Sequence, residues 1–529
     1  MKEDIVFPAS RVCPWRAGLI AIAAVLIAIT ATAEEATTNL LVIHADQGGD
    51  TISRNLYGQF SEDLGHCIYG GIWVGVESPI PNTRGIRNDI IAALKKIEVP
   101  VLRWPGGCYA DDYHWMNGIG PRNQRPKTVN TSWGDVLEDN QFGTHEFLDF
   151  CHLIGAEPYM AGNMGSGTVR EMADWIEYMT CAADTPMANL RRENGREQPW
   201  KIPFLGIGNE SWGCGGNMTP EYCADNFLRY NTFIKDYDGN QIYRIASGAS
   251  GEDYHWTDVL MRRVGTRMNG LSLHYYTIPT GNWSHKGSAT GFNETGWFET
   301  LRRAREINTL ITKHSAIMDQ YDPQKKVSLI VDEWGAWYDV QPGTNPLFLY
   351  QQNTLRDALV AGLTLNILNQ HCDRVKMACI AQMVNVLQAM ILTDNEKMIV
   401  TPTYWVFAMY TVHHDAKLLP SDLRSADYDF NGEKIPAVSV SASRDRAGRI
   451  HVSLCNLNPD RPAQVTCDLQ GAKVVEISGQ VLTAPEMNAH NTFDQPANVH
   501  PAGFSDCKLT GNGFVATLPA KSVVVLELK

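Results

Sequence analysis

Two glutamates, Glu210 and Glu333, each come shortly after an apolar run that is typical of a buried strand. The two runs span residues 204–208 and 327–331. In a barrel of parallel strands, side chains at the strand ends meet on the face where active sites lie. A pair of glutamates without a neighbouring metal-binding motif suits acid/base and nucleophilic cleavage of a glycosidic bond. The pattern therefore predicts a carboxylate pair that hydrolyses a sugar bond.

The neighbours of each acid favour this chemistry, although each has a structural alternative. Glu210 follows Asn209 and precedes a glycine-rich loop that contains Trp212. An amide and an indole beside a carboxyl group can raise its pKa, as a general acid working near neutral pH requires. The alternative is that Glu210 caps the next helix. Glu333 lies among Trp334, Trp337 and Tyr338, whose rings could pack against a sugar or simply fill the barrel rim.

Other polar residues stand at further strand ends. Arg103 could keep a carboxylate ionised, or form a structural salt bridge, and Glu62 would accept hydrogen bonds from sugar hydroxyls. His274 reads as an ordinary rim residue. The sequence contains no HExxH, Walker-type or GxSxG motif and no His/Cys spacing typical of zinc, so we expect no cofactor and no metal.

The alternation of apolar runs and amphipathic stretches predicts an α/β fold, a (β/α)8 TIM barrel over residues 56–415. We expect its strands near 56–64, 100–105, 157–163, 204–210, 243–250, 270–276, 327–334 and 375–385. Closely spaced β-rich segments over residues 416–529 predict a second, smaller all-β sandwich domain. Within residues 34–55, a strand at 39–44 is expected to join that sandwich.

The net charge and the N-terminal segment limit the partners and the cellular location that we expect. The formal net charge of −13 argues against a nucleic acid or an anionic membrane and favours a neutral substrate. Residues 1–33 carry basic side chains, an apolar run and Ala31-Thr32-Ala33, a pattern typical of a cleaved signal peptide. A membrane anchor is the alternative, but the run is shorter than the roughly 20 residues of a span. We therefore expect export to the periplasm or the medium, with no membrane contact after cleavage.

The 12 cysteines show no short regular spacing, which argues against a disulfide scaffold. Cys214 with Cys223, or Cys455 with Cys467 or Cys507, are the candidate pairs, and the sequence does not decide between them. We expect most cysteines to be small buried residues.

Seven segments together resemble glycoside hydrolase family 51, chiefly α-L-arabinofuranosidases, a family with a retaining mechanism. In chain order they are residues 56–62, 102–107, 118–121 with 124–126, Gly208-Asn209-Glu210, Ser272-Leu273-His274, Asp332-Glu333-Trp334 and 374–386. They run in the family's order across nearly the whole chain after residue 33. This collinearity is far more specific than a single Asn-Glu dipeptide.

The resemblance implies unequal roles for the two acids, with Glu210 as general acid/base on barrel strand four and Glu333 as nucleophile on strand seven. It implies a substrate-binding role for Glu62, Arg103, Cys108, Trp115, Asn209, Tyr276, Trp337 and Gln382. Cys108 stands where many relatives have Asn, although other members carry Cys there. Tyr275 replaces a common Gln, which leaves Tyr275 open as an alternative to Tyr276.

The implied function is retaining exo-hydrolysis of terminal α-L-arabinofuranosyl residues from arabinan, arabinoxylan or derived oligosaccharides. Retention requires the two carboxyl groups to lie about 5–5.5 Å apart. The alternatives are a β-xylosidase or endo-β-glucanase on the same barrel, or a non-catalytic carbohydrate-binding protein, which would lack one of the two glutamates. Relatives are often oligomeric, so a homo-oligomer is a further expectation.

Overall fold

The computed structural model describes residues 37–529, and the predicted signal peptide lies outside them. Eight parallel strands close into a barrel. In chain order they are Gly58–Phe60, Val101–Trp104, Glu157–Gly162, Phe204–Ile207, Tyr243–Ser250, Gly270–Thr277, Ser328–Ala336 and Val375–Ile380. Each strand pairs with its neighbours in sequence, and the eighth pairs with the first. The predicted barrel is confirmed, with every strand at its expected place.

Helices surround the barrel, and several of them begin after a residue whose side chain caps the first turn. They are Asn88–Lys96, Thr144–Ile154, Val169–Thr180, Pro186–Glu193, Pro220–Phe233, Tyr254–Arg263, Glu294–Ala304, Glu306–Tyr321, Leu355–Gln370 and Pro402–Tyr410. The hydroxyls of Thr168, Thr219 and Thr401 accept hydrogen bonds from backbone N–H groups in the first turn of the helices they precede. The helices Glu294–Ala304 and Glu306–Tyr321 follow each other directly and are interrupted only at Arg305.

A two-layered β structure follows the barrel. One sheet contains, in spatial order, Lys417–Leu418, Val438–Arg444, Ile450–Asn456, Ser522–Leu528, Ile477–Leu482 and Ala502–Phe504. The other contains Ser421–Arg424, Thr37–His44, Ala463–Gln470, Gly513–Leu518 and Cys507–Thr510. The N-terminal strand Thr37–His44 pairs in parallel with Ala463–Gln470, so the sandwich is not purely antiparallel.

The described residues also form short two-stranded hairpins between these elements. They pair Asn82–Thr83 with Ile86–Arg87, Thr128–Asn130 with Val136–Glu138, Ile391–Asp394 with Lys397–Val400, and Asp427–Phe430 with Glu433–Pro436. Within the described residues, no helix has both the length and the apolar character needed to cross a membrane.

The helix Leu355–Gln370 holds the barrel against the sandwich. Nearly every residue of this helix is buried. Asn366 accepts a hydrogen bond from the Ser453 hydroxyl at 2.7 Å, and Gln370 donates to the carbonyl of Val440 at 2.7 Å. The barrel face at the carboxyl ends of the strands stays free for a site.

Candidate active site

Glu210 stands on a tight turn at the end of strand four. Gly208 and Glu210 both have positive φ, 83° and 39°, so the chain reverses within three residues and turns the Glu210 side chain into the barrel mouth. The turn leaves room for no side chain at Gly215, where a Cβ would lie 1.7 Å from the carbonyl oxygen of Asn209. The backbone therefore directs the largely buried Glu210 side chain into the cavity.

Asp111 fixes this turn from beneath. Its carboxyl group accepts backbone N–H groups of Asn209, Met164 and Gly165 at 2.6–2.8 Å, which ties together the loops after strands two, three and four. Burial raises the pKa of Asp111 to about 7, although these hydrogen bonds oppose the shift. We had not singled out Asp111 from the sequence, because its role depends on three separate loops.

Glu333 has a donor on each oxygen. Arg103 Nη1 donates to Oε1 at 2.8 Å, and the Tyr276 hydroxyl donates to Oε2 at 2.8 Å. The Arg103 guanidinium also donates to Asn209 Oδ1, so one cation connects both strand ends. Carboxylate oxygens of Glu210 and Glu333 lie within 4.8 Å of each other. The two acids thus form a close pair with different partners.

The environment of Glu210 suits a proton donor. Burial raises the pKa of Glu210 and repulsion from Glu333 raises it further, whereas His274 lowers it. His274 Nδ1 lies 2.9 Å from Glu210 Oε1 and 3.4 Å from Glu333 Oε2. The pair therefore combines a carboxyl group that holds its proton more tightly than usual with a carboxylate held by Arg103 and Tyr276.

His274 is part of the site, contrary to our interpretation of it as an ordinary rim residue. Strands six and seven place His274 directly beside Glu333 in register. Its Nε2 lies 3.2 Å from Asp332 Oδ1, whose other oxygen accepts the Tyr159 hydroxyl at 2.7 Å. Burial alone would lower the pKa of His274, but Glu333, Asp332 and Glu210 raise it to about 10. The imidazole is therefore a buried cation among three carboxyl groups.

Glu62 lines the same cavity and is held by three donors. It accepts the backbone N–H of Tyr109 at 3.1 Å, the Trp133 indole at 2.9 Å and the Gln382 amide at 2.9 Å. Burial and repulsion from Glu333 raise its pKa to about 7. Trp133 was not predicted, because its hairpin lies 71 residues from Glu62 in sequence and carries no local signal.

Aromatic rings surround the mouth of the cavity, whose volume is about 500 Å³. Trp337 makes edge contacts with Tyr276 at 4.9 Å and with Trp283 at 5.2 Å between ring centroids. Trp283 is 57% exposed and was also missed from the sequence. Such rings give a sugar flat apolar faces to pack against.

Among the predicted substrate-binding residues, Glu62, Cys108, Tyr276, Trp337 and Gln382 line the cavity. The buried Gln382 Oε1 has no hydrogen-bond partner among the described residues, which suits a group that binds a sugar hydroxyl. Arg103 and Asn209 do not line the cavity, and Arg103 instead contacts Glu333 and Asn209 in the barrel interior.

The structure places Trp115 differently from the prediction and decides between Tyr275 and Tyr276. Trp115 lies outside the cavity, because its ring packs into the core against Trp175 and its indole donates to the Glu171 carbonyl at 2.9 Å. The Tyr275 hydroxyl donates to Glu306 at 2.9 Å, away from the acid pair, so Tyr276 is the tyrosine that contacts Glu333.

Cys108 and Cys214 form a disulfide at the cavity wall, with Cα atoms 5.4 Å apart. The pairs considered from the sequence were wrong, since Cys223, Cys455, Cys467 and Cys507 are free. The partners are 106 residues apart and meet only because strands two and four are close in the barrel. Within the described part of the chain, two groups have metal-binding spacing, namely Cys108, Glu210 and Cys214, and Glu210, His274 and Glu333.

Comparison with known proteins places this geometry in a family. The model of the α-L-arabinofuranosidase 1 domain matches residues 93–291, and that of the α-L-arabinofuranosidase C-terminal domain matches residues 332–522. An intracellular exo-α-L-arabinofuranosidase of Bacteroides ovatus is 52% identical over 97% of this chain and 99% of its own length.

Solved structures agree with the sequence matches. The family 51 arabinofuranosidase from Xanthomonas axonopodis pv. citri has a TM-score of 0.92 at 52% identity and covers 94% of this chain and 100% of its own. An α-L-arabinofuranosidase from Thermotoga maritima, solved with arabinose, has a TM-score of 0.81 at 30% identity, with 92% and 99% coverage.

The comparison corrects the prediction of export to the periplasm or the medium. The Bacteroides ovatus relative, which aligns over nearly all of this chain, is named as an intracellular enzyme. The signal-peptide pattern on which the prediction rested falls on residues 1–33, outside the described residues. From the barrel, the paired glutamates and these matches, the chain belongs to the α-L-arabinofuranosidases of glycoside hydrolase family 51.

Proposed function

We propose that this protein releases terminal α-L-arabinofuranosyl residues from arabinose-containing oligo- or polysaccharides with retention of configuration. The observation that carries the proposal is the separation of the Glu210 and Glu333 carboxylate oxygens, which is within 4.8 Å. Retaining glycosidases place their carboxyl groups about 5–5.5 Å apart, whereas inverting enzymes need about 6.5–9.5 Å to admit a water. The spacing supports attack by an enzyme carboxylate.

In the first step, a Glu333 oxygen attacks the anomeric carbon while the bond from that carbon to the leaving oxygen breaks. Glu210 gives its proton to the leaving oxygen, and the sugar becomes an ester of Glu333. Arg103 and Tyr276 hold the attacking carboxylate in place. The raised pKa of Glu210 keeps a proton available for transfer.

In the second step, water attacks the anomeric carbon and the ester bond to Glu333 breaks. Glu210, now ionised, takes the proton of that water and returns to its starting state. His274 stabilises Glu210 while it carries a negative charge, because the imidazolium lies 2.9 Å from Oε1. The same residue therefore serves as acid and as base.

The cavity supports action at a chain end. Its residues, from Glu62 to Leu387, all come from the barrel, and the aromatic rings of Tyr276, Trp283 and Trp337 restrict the mouth. In this proposal residues 56–415 form the catalytic domain, and residues 416–529 with the strand from 34–55 form a supporting sandwich domain. Endo-cleavage would need an open groove for a polymer to pass through.

The central experiment compares three variants on an aryl arabinofuranoside with a good leaving group. Glu333→Ala should lose nearly all turnover. Glu210→Ala should slow the second step most, because a good leaving group needs little protonation, and added azide should restore turnover since this nucleophile needs no base. Glu193→Ala, which removes an exposed carboxylate at the end of the helix Pro186–Glu193, is the matched control and should keep normal turnover.

Two results would refute the assignment: normal turnover of Glu333→Ala, or a first-formed product of inverted configuration in a proton NMR time course. A panel of nitrophenyl arabinofuranoside, xyloside and glucoside substrates then tests the sugar. Preference for the xyloside or the glucoside would favour the alternative specificities.

A further inference from the structure

The disulfide between Cys108 and Cys214 touches the acid/base residue. Cys214 Sγ lies 3.3 Å from Glu210 Oε2, and Cys108 Sγ lies 3.7 Å from the same oxygen. Cys108 begins the short helical turn after strand two, and Cys214 lies in the loop after strand four. The hydrolysis described above uses neither sulfur, so this contact calls for a separate explanation.

We propose that the reduced forms of Cys108 and Cys214, together with Glu210, constitute a binding site for a thiophilic divalent cation such as Zn²⁺ or Cd²⁺. A cation held there engages the oxygen of Glu210 that would handle the proton, and it stops hydrolysis. The disulfide removes both sulfur ligands, so the oxidation state of this pair decides whether such metals inhibit the enzyme. The inhibitory part rests on the proposed role of Glu210.

The distances already fit a tetrahedral site. With metal–sulfur bonds of about 2.3 Å and metal–oxygen bonds of about 2.1 Å, a sulfur and an oxygen ligand lie about 3.6 Å apart. The observed separations of 3.3 and 3.7 Å bracket this value. Only the two sulfurs must move, from bonded contact to about 3.8 Å. Cα atoms 5.4 Å apart permit this by side-chain rotation alone.

The ligand set determines which cations bind. Two thiolates and one carboxylate select zinc-like metals, whereas Mg²⁺ and Ca²⁺ prefer oxygen ligands and should not bind. The fourth position opens into the cavity, since Cys108 and Glu210 both line it. A bound cation would therefore occupy space that the substrate needs as well as the proton-transfer oxygen.

The conversion between the two states balances with ordinary reagents. A water-soluble phosphine breaks the S–S bond, takes the oxygen of one water as phosphine oxide, and leaves the two hydrogens of that water on the sulfurs. Binding then exchanges the two thiol protons for one divalent cation. A phosphine suits the experiment because, unlike a dithiol, it does not compete for the metal through sulfur.

Cys108 and Cys214 are more accessible to reagents in solution than most of the other described cysteines. Cys214 is exposed and Cys108 half-buried, whereas among the described free cysteines all but Cys507 are buried. Cys507 lies in the sandwich, far in sequence from the site, and is only half-buried. It provides the matched control.

The test titrates Cd²⁺ into full-length protein in two states. One is reduced with phosphine and desalted, and the other is oxidised with a diazenedicarboxamide, whose N=N bond takes up the two thiol hydrogens as the S–S bond forms. Thiol counting under native conditions verifies each state. The reduced protein should bind one Cd²⁺ with the ultraviolet charge-transfer band of two thiolates and lose at least about tenfold in activity, while the oxidised protein shows neither. Mg²⁺ at the same concentration should have no effect.

Variants locate the site, each normalised to its own metal-free activity. Cys214→Ser should lose about half of the band and bind Cd²⁺ at least about tenfold more weakly, whereas Cys507→Ser should match wild type. The proposal is overturned if both redox states give the same titration, if Cys214→Ser behaves as wild type, or if the pair cannot be converted between its two states. A full band without inhibition would overturn the inhibitory part and count against Glu210 as acid/base.

Discussion

Replacing His274 by Gln removes a buried positive charge from between Glu210, Glu333 and Asp332 while keeping a side chain that can donate a hydrogen bond. The His274 imidazole has a pKa raised to about 10, so it is charged at neutral pH. This charge favours the ionised form of Glu210 and therefore lowers its pKa. Without it, Glu210 should keep its proton to higher pH.

The size of the effect follows from the contact distance. Nδ1 of His274 lies 2.9 Å from Glu210 Oε1, which puts the centres of charge about 4 Å apart. At that distance two unit charges interact by about 4 kcal/mol in an effective dielectric of about 20. Because 1.36 kcal/mol corresponds to one pH unit, the full interaction is about three units, and relaxation around the new side chain reduces it. We expect a change of about one to three pH units.

The measurement is kcat/KM for an aryl arabinofuranoside as a function of pH. Glu210 must be protonated in the first step, so activity falls on the alkaline side as Glu210 ionises. In His274→Gln this alkaline limb should move to higher pH, together with a lower maximum rate. Tyr159→Phe is the control, since it removes a hydrogen bond to Asp332 without changing the charge, and it should move the limb much less. An unchanged limb, or a limb at lower pH, would refute the reasoning.

Two further outcomes test the site and its support. Tyr276→Phe removes the hydroxyl that donates a hydrogen bond to Glu333 at 2.8 Å. A hydrogen bond to a charged group contributes about 1.5–3 kcal/mol, so its loss should lower kcat/KM about 10- to 150-fold with little change in Tm. An unchanged kcat/KM would contradict a role for this contact. Burial, with repulsion from His451 and His414, lowers the pKa of His413 to about 3, so this imidazole stays neutral in the folded protein while the unfolded chain gains a proton below about pH 6.5. The contribution of His413 to the free energy of unfolding should therefore be fully present above about pH 6.5 and fall as the pH drops toward 3, by up to about 1.4 kcal/mol per pH unit. The variant His413→Gln should show a smaller fall of Tm between pH 7 and 5 than the wild type. An equal slope of Tm against pH in both proteins would contradict this explanation.

The sequence predicted the barrel because its signal is local. Each strand is a short apolar run, each helix an amphipathic stretch, and eight repeats of the pair are specific to one architecture. Glu210 and Glu333 were found for the same reason, since the end of a strand in sequence is also the end of a strand in space. Family resemblance added their unequal roles, which position alone does not contain.

The family resemblance was a weaker guide to the direction in which a side chain points. Trp115 belongs to a helical turn near the site, yet its ring packs against Trp175 in the core. Which way a ring turns depends on the packing around it, and a motif match carries no information on that. The prediction of export likewise used an N-terminal pattern alone, and the comparison with a relative overturned it.

The sequence by itself determined the fold class and the two catalytic candidates, because short apolar runs and their terminal acids are encoded by neighbouring residues. Only the tertiary structure decided what surrounds them: the His274 cation in register with Glu333, the Trp133 indole on Glu62, and the disulfide beside Glu210. These contacts join segments tens of residues apart through strand register and loop packing. Interactions at that range set the charge and the proton affinity of the site, and no local pattern encodes them.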